Sequence, residues 1–423
     1  MRPVDLVVRN IGRLATMAGP VPRTGAALRE PGFVDSAAVA AHRGRIVYAG
    51  PEAGLPAAAA AEAGATVVDA GGACAVPGFV DAHTHLAFAG DRDEEIRRRL
   101  AGASYREIAA AGGGIVRSVE ATRKASRGEL AAAIRARLDE MLLQGTTTAE
   151  VKSGYGLDTA AELRSLEAIR DAGAAHPVTV VPTFLGAHEV PLEHRGERHR
   201  YVRLLVDEMI PEVARRGLAA FADVFCEQGV FSVAESRTIL AAAHDRGLKL
   251  RIHADELAWT GGAELAAELR ARSADHLVHV SEAGMKGLAA APCAATLLPA
   301  ASFYLRLPRL APARALVEAG VPVALATDAN PGGGLSPSMP FAMALSCFAM
   351  GLSLEEALAA STVNAAWSLD VHDEAGTLET GKRADLVVLR SPRLLDLVRV
   401  GVAAIRVVIK DGRVVVRDGR MMP

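Results

Sequence analysis

Apolar residues recur along the chain in two rhythms, one at its ends and one in its middle. At the ends they form short β-type runs. Asp5–Arg9 is the first, and Ala38–His42 and Arg45–Tyr48 flank Arg43-Gly44 and read as a hairpin. Near the other end Asp385–Leu389 is a further run. Val407 to Val416 then places two β-branched runs around Asp411-Gly412, which is among the strongest short-range hairpin signals. The simplest organisation is one small β domain contributed by both ends, with the middle of the chain inserted into it.

In the middle, short apolar runs alternate with amphipathic helical stretches. The runs are Gly78–Asp81, Thr146–Glu150, Thr179–Pro182, Asp223–Phe225, Leu248–His253, His276–His279, Ala294–Leu298 and Val321–Thr327. Between them lie helical segments such as Glu129–Leu143, Thr159–Asp171 and Val233–His244. Strand–helix alternation implies parallel strands joined by crossover helices. Eight such units fit a (β/α)8 TIM barrel, whose usual size is about 250 residues plus insertions. The expected fold is therefore α/β: a (β/α)8 barrel over residues 76–374, with a small β-sandwich domain from 1–75 plus 375–423. A doubly wound open sheet is the competing fold. It calls for a GxGxxG turn after its first strand, and the chain has none there.

Composition narrows the function classes. A formal charge of −2 gives no reason to expect nucleic acid or an anionic membrane as a partner. The cysteines Cys74, Cys226, Cys293 and Cys347 are widely spaced and form no CxxC pair, which argues against a disulfide framework or a thiolate zinc site. The N-terminus carries no long apolar segment. The alanine-rich stretch 56–66 contains Glu62 and is too short to span a bilayer. These features lead to the expectation of a soluble, cytoplasmic protein. Gly112-Gly113-Gly114 and Gly332-Gly333-Gly334 lack the Lys-Ser/Thr of a phosphate loop. They read equally well as flexible loops or as ligand-contacting ones.

In a barrel of this kind, functional side chains collect just after the strands. The first run leads into His83-Thr84-His85, whose histidines at i and i+2 point to one side of an extended segment. That spacing alone fits a metal grip and a packed pair about equally. His253 ends the fifth run, His276 and His279 bound the sixth, and Asp328 follows the eighth. The joint placement is what points to an ion. Three imidazoles and a carboxylate suit zinc or ferrous iron better than magnesium or calcium.

With those motifs in place, the chain resembles the amidohydrolase superfamily. The resemblance rests on Pro77-Gly78-Phe79-Val80-Asp81-Ala82-His83-Thr84-His85, His253, His276 and Thr327-Asp328. The segments Glu150–Leu157, Phe184–Pro191, His253–Glu256 and Asp328–Gly332 are similar to one branch of it. That branch hydrolyses the cyclic amide of 4-imidazolone-5-propanoate to N-formimidoyl-L-glutamate in histidine degradation.

The resemblance implies one divalent metal ion, Zn2+ or Fe2+/Fe3+, held by His83, His85, His253 and Asp328. It implies that Arg92, Tyr155, His188, Glu256, Asn330, Gly332 and Gly333 line the substrate pocket. Glu256, His276 and Asp328 would be catalytic. His276 would polarise the carbonyl, Glu256 would orient water and move its proton, and Asp328 would bind the ion and accept a proton. The family usually places a small hydroxyl residue where this chain has Gly333. Arg92 can hold a carboxylate arm through two parallel hydrogen bonds. The implied partner is a small molecule with such an arm, and the implied assembly is a homodimer. A nucleobase deaminase is the nearest rival, because it uses similar ligands but needs no Arg92. A non-catalytic barrel is a further rival, and it would be expected to have lost ligands.

Overall fold

The computed structural model describes residues 4–55, 64–102 and 114–422. Gly112 and Gly113, and most of the alanine-rich 56–66 stretch, lie outside the described residues. Eight strands form the central sheet: β6 (Phe79–Asp81), β7 (Thr146–Lys152), β8 (Thr179–Ala187), β9 (Phe221–Cys226), β10 (Lys249–Ala254), β11 (Ser273–His276), β12 (Ala294–Leu297) and β13 (Val323–Leu325). Each pairs in parallel with the next in chain order. Every residue of β7 is buried, as expected for a strand covered on both faces.

The barrel closes just past its first and last strands. Thr84 and Ala329 form a parallel bridge. The Asp328 N–H donates to the His83 carbonyl at 3.0 Å, and the His85 N–H donates to the Ala329 carbonyl at 2.9 Å. The expected ion-binding segments are thus the seam of the barrel.

The crossover helices start where the sequence supplies caps. Ser126 with Glu129, and Ser232 with Glu235, form reciprocal capping boxes at the helices Arg127–Leu143 and Val233–Asp245. Each such cap contributes about 1 kcal/mol. Leu130, Ile134, Leu138 and Met141 make one buried stripe on the first of these helices. Each side chain so buried contributes about 1.5–3 kcal/mol.

The chain ends build a second, mixed sheet. Its strands are β1 (Leu6–Ala15), β2 (Phe33–His42), β3 (Arg45–Pro51), β4 (Thr66–Asp69), β5 (Cys74–Pro77), β14 (Leu386–Leu389), β15 (Ile405–Lys410), β16 (Arg413–Arg417) and β17 (Arg420–Met421). They form one hydrogen-bonded path, β17-β16-β15-β14-β5-β1-β2-β3, with β4 beside β1. Both expected hairpins are present, as β2–β3 and β15–β16. Strand alternation divides the side chains between two cores. Leu386 and Val388 join Leu6, Val8 and Val39 in the core of this sheet. Val387 and Leu389 face the barrel core, with Phe79 and Leu142. All four cysteines are free.

One expected strand is displaced. The sixth barrel strand ends at His276 and does not begin there. His276 and Leu277 take positive φ values of 74° and 58°, which turn the chain out of the extended conformation. His279 therefore lies beyond the strand, against Arg309.

Candidate active site

His83 and His85 follow β6, and the residue between them fixes their direction. Thr84 donates its N–H to Glu150 Oε2 at 3.1 Å and its hydroxyl to the Glu150 carbonyl at 2.6 Å. The flanking imidazoles therefore turn to the opposite side. His83 Nε2 lies 3.2 Å from His85 Nε2, and His253 Nε2 lies 3.3 Å from the same atom. Asp328 Oδ1 is 3.3 Å from His85 Nε2 and 3.6 Å from His83 Nε2.

A second layer sets which nitrogen of each ring carries the proton. His83 Nδ1 is 2.6 Å from Asp275 Oδ2. His253 Nδ1 is 3.1 Å from Asp223 Oδ1. Each carboxylate accepts from Nδ1–H, so each Nε2 presents a lone pair to the cluster. Behind them stand two fully buried cations. Arg251 donates to Asp275 Oδ2 at 3.1 Å. Lys152 donates to Asp223 Oδ2 and to Glu150 Oε1, both at 2.7 Å. Burial alone would raise the Asp223 carboxyl, but His253 and Lys152 overcome it and hold the group well below the usual carboxylate range. Burial, with nearby cationic groups, pushes His83 and His85 well below the ordinary histidine range. They are neutral at pH 7 and available as ligands.

Converging lone pairs beside a carboxylate oxygen repel one another unless a cation lies among them. Asp328 Oδ1 is buried and has no hydrogen-bond partner among the described residues. A tetrahedral site with bonds of about 2.0–2.1 Å puts its ligand atoms about 3.3 Å apart, close to the spacings found. The four residues fit one transition-metal ion. His276 also lies near, in a group with His83 and His253 whose ligand atoms fall within 4.8 Å of one another.

A cavity of about 370 Å³ opens onto this cluster. It brings together every pocket and catalytic residue expected from the sequence: Arg92, Tyr155, His188, Glu256, His276, Asp328, Asn330, Gly332 and Gly333. Of the expected ligands His85, His253 and Asp328 reach it, while His83 lies beneath, fully buried. Glu256 Oε1 is 3.5 Å from His276 Nδ1. Burial, with Asp328 and Glu227 nearby, pushes the Glu256 carboxyl well above its usual range. Burial lowers His276 to about 3, so its ring is neutral.

Asn330 shapes the last loop. Its Oδ1 accepts from the N–H of Gly332 at 2.8 Å and of Gly333 at 2.6 Å. Arg92 donates through Nε to Ser118 Oγ at 3.0 Å and faces the Tyr155 ring at 5.9 Å. Its guanidinium packs on Gly332 so closely that a Cβ there would meet NH1 at 2.3 Å. Only glycine fits.

The site also contains residues that the sequence did not reveal. Glu95, Arg99, Phe225, Leu305 and Arg306 line the cavity too. Arg99 donates to the Gly332 carbonyl at 2.7 Å and to Glu95 Oε1 at 2.9 Å. In the sequence Arg99 belongs to a run of three arginines and looks solvated. Its spacing from Arg92 and Glu95, i+7 and i+4 on one helix face, was the available signal. Asp223 opens the fourth expected run and Asp275 lies just before the sixth, and neither is among the expected site residues; both sit within strands, β9 and β11.

Comparison with known proteins agrees with this geometry. A model of the amidohydrolase family matches residues 74–415. An imidazolonepropionase from Symbiobacterium thermophilum is 51% identical, over 97% of each chain. Imidazolonepropionases from Myxococcus xanthus and Geobacillus kaustophilus are 47% and 46% identical, again over 97% of each chain. Among solved structures, an adenosine deaminase from Xanthomonas campestris with bound zinc matches with a TM-score of 0.73 at 18% identity, over 99% of this chain and 94% of that one. Guanine deaminase from E. coli matches at 0.70 and 18%, over 99% and 100%. The two deaminases establish the fold alone. The family match and the full-length relatives go further: the chain belongs to the amidohydrolase family and, within it, to the imidazolonepropionases.

Proposed function

We propose that the chain hydrolyses the cyclic amide of 4-imidazolone-5-propanoate to N-formimidoyl-L-glutamate, a step of histidine degradation. One observation carries the reading beyond the family match. The Arg92 guanidinium, fixed by Ser118, opens into the same cavity as the histidine–aspartate cluster. A propionate arm needs that cation, and a neutral nucleobase does not.

The proposed ligands are His83, His85, His253 and Asp328, holding one zinc or iron ion. When bound, such an ion supplies water whose pKa falls from 15.7 to about 7. The chain's own residues do the rest. Neutral His276 donates one N–H to the amide carbonyl oxygen. Glu256, 3.5 Å from His276, takes a proton from the attacking water and gives it to the departing ring nitrogen. The carbonyl carbon gains the water oxygen as its bond to nitrogen breaks. Tyr155, His188, Asn330, Gly332 and Gly333 line the substrate's site, and Arg92 clamps its carboxylate.

The proposed assembly is a homodimer of cytoplasmic chains, each a barrel over 76–374 with a small β domain from 1–75 and 375–423. Among the described residues no helix is long and apolar enough to cross a membrane. The near-neutral charge argues against a nucleic-acid partner. The test is a turnover assay with imidazolone propionate, followed by loss of ring absorbance, beside guanine and cytosine. Ring opening with no ammonia from either base supports the proposal. Ammonia release without ring opening overturns it.

A further inference from the structure

Glu162 lies in the first turn of the helix Thr159–Ala174 and is fully buried. It is not among the described residues lining the cavity. Its carboxylate faces the loop that joins β7 to this helix. Oε1 accepts from the Gly156 N–H at 2.7 Å and the Leu157 N–H at 2.9 Å. The Gly154 N–H approaches Oε1 at 3.2 Å and Oε2 at 3.1 Å. Convergent backbone N–H groups make a concavity of the kind that binds anions. Here the chain fills it with its own carboxylate.

Two walls of the cavity hang on that loop. Tyr155 stands between the anchored glycines, 5.2 Å from the His188 ring and 6.1 Å from the His85 ring. The Gly154 carbonyl accepts from His188 Nδ1–H at 2.9 Å. That bond keeps the proton on Nδ1 and leaves the Nε2 lone pair for a ligand. The same ring stacks on His85 at 4.9 Å and 21°. The loop lies directly on the helix start, since a Cβ on Gly156 would come within 2.7 Å of the Ala161 and Glu162 backbone.

We propose that Glu162 is a positioning residue for the substrate pocket: its carboxylate anchors the Gly154–Leu157 loop and thereby sets Tyr155 and the Nε2 face of His188. The inference rests on the substrate reading above only for its kinetic arm. A merely structural carboxylate would alter stability and leave KM and the His188 tautomer alone.

The experiment compares Glu162→Met, which keeps length and removes the acceptor, with Glu162→Gln, which keeps one oxygen for Gly156 and Leu157. Steady-state kinetics, bound metal and the His188 Nδ1–H signal in histidine-labelled NMR are read together. The Met variant raises KM by about tenfold or more, the loss of one good hydrogen bond's worth of orientation. It keeps its metal, and its His188 Nδ1–H signal disappears into exchange with water. The Gln variant stays within about threefold of the parent KM and keeps the signal. A Met variant with parental KM and signal, or equal loss in both variants, overturns the proposal. If the Met variant does not fold, Glu162→Asp replaces it. That carboxylate falls one methylene short, so a raised KM at unchanged metal content supports the proposal and a parental KM overturns it. If the parent enzyme does not open the imidazolone ring, the substrate reading fails, and the NMR arm still decides the role of Glu162.

Discussion

Arg99 and Arg92 hold the Gly332 peptide from two directions: Arg99 donates to its carbonyl at 2.7 Å, and the Arg92 guanidinium packs where a side chain would be. Glu95 anchors Arg99 from one carboxylate oxygen, while its other oxygen accepts from the Gly114 N–H at 3.0 Å. The carboxylate clamp proposed at Arg92 would thus rest on one helix, the 114 turn and the last barrel loop together.

Arg99→Met removes the brace and leaves Arg92 in place. It is expected to raise KM for imidazolone propionate by about tenfold, with kcat within about threefold, since about 1.4 kcal/mol of orientation is lost. An imidazolone lacking the propionate is expected to show no such change. Steady-state kinetics on the two substrates check this, and equal loss on both would mean general damage to the site.

Arg92→Ala is expected to weaken substrate binding far more than Arg99→Met does, because it removes the charge that meets the carboxylate. Metal content measured by mass spectrometry is expected to match the parent. Loss of metal in this variant would show that Arg92 supports the ligand cluster and does not recognise the arm.

Glu256→Gln keeps the shape of the side chain and removes its titratable oxygen. A fall in kcat of about 10²–10⁴-fold is expected, with stoichiometric metal retained. A variant with near-parental kcat would move the proton-transfer role to another group.

Asp275→Asn tests the layer behind the ligands. An amide oxygen accepts from His83 Nδ1–H more weakly than a carboxylate does, and it leaves the buried Arg251 charge without its counter-ion. Metal affinity is expected to drop about 10–100-fold, read by chelator competition. Parental affinity would show that His83 needs no carboxylate to present its Nε2.

Much of this molecule is legible in the chain itself. The parallel barrel shows in eight apolar runs, seven of which lie on strands while the sixth begins where its strand ends, because strands buried on both faces leave nearly continuous apolar signals. His83 and His85 show because a period of two places them on one side. Strand ends were less legible. His276 and Asp328 adopt positive φ, and their backbones leave the strands in ways that apolar patterning does not encode. Charges turned inward were the least legible. Arg99 reads as part of a solvated arginine run, and Glu162 reads as an ordinary helix residue. Asp223 and Asp275 interrupt apolar strands, yet only the closed barrel shows each one against its own histidine.

The four-residue cluster and Arg92 are proposed to serve one ring-opening reaction. The most direct measurement is turnover of imidazolone propionate by the purified enzyme, with metal quantified in the same preparation before and after chelation. One zinc or iron ion per chain, ring opening with that ion and none after its removal is the result expected here. Undiminished ring opening by a metal-free chain, or a metal-loaded chain that leaves the ring intact, would contradict it.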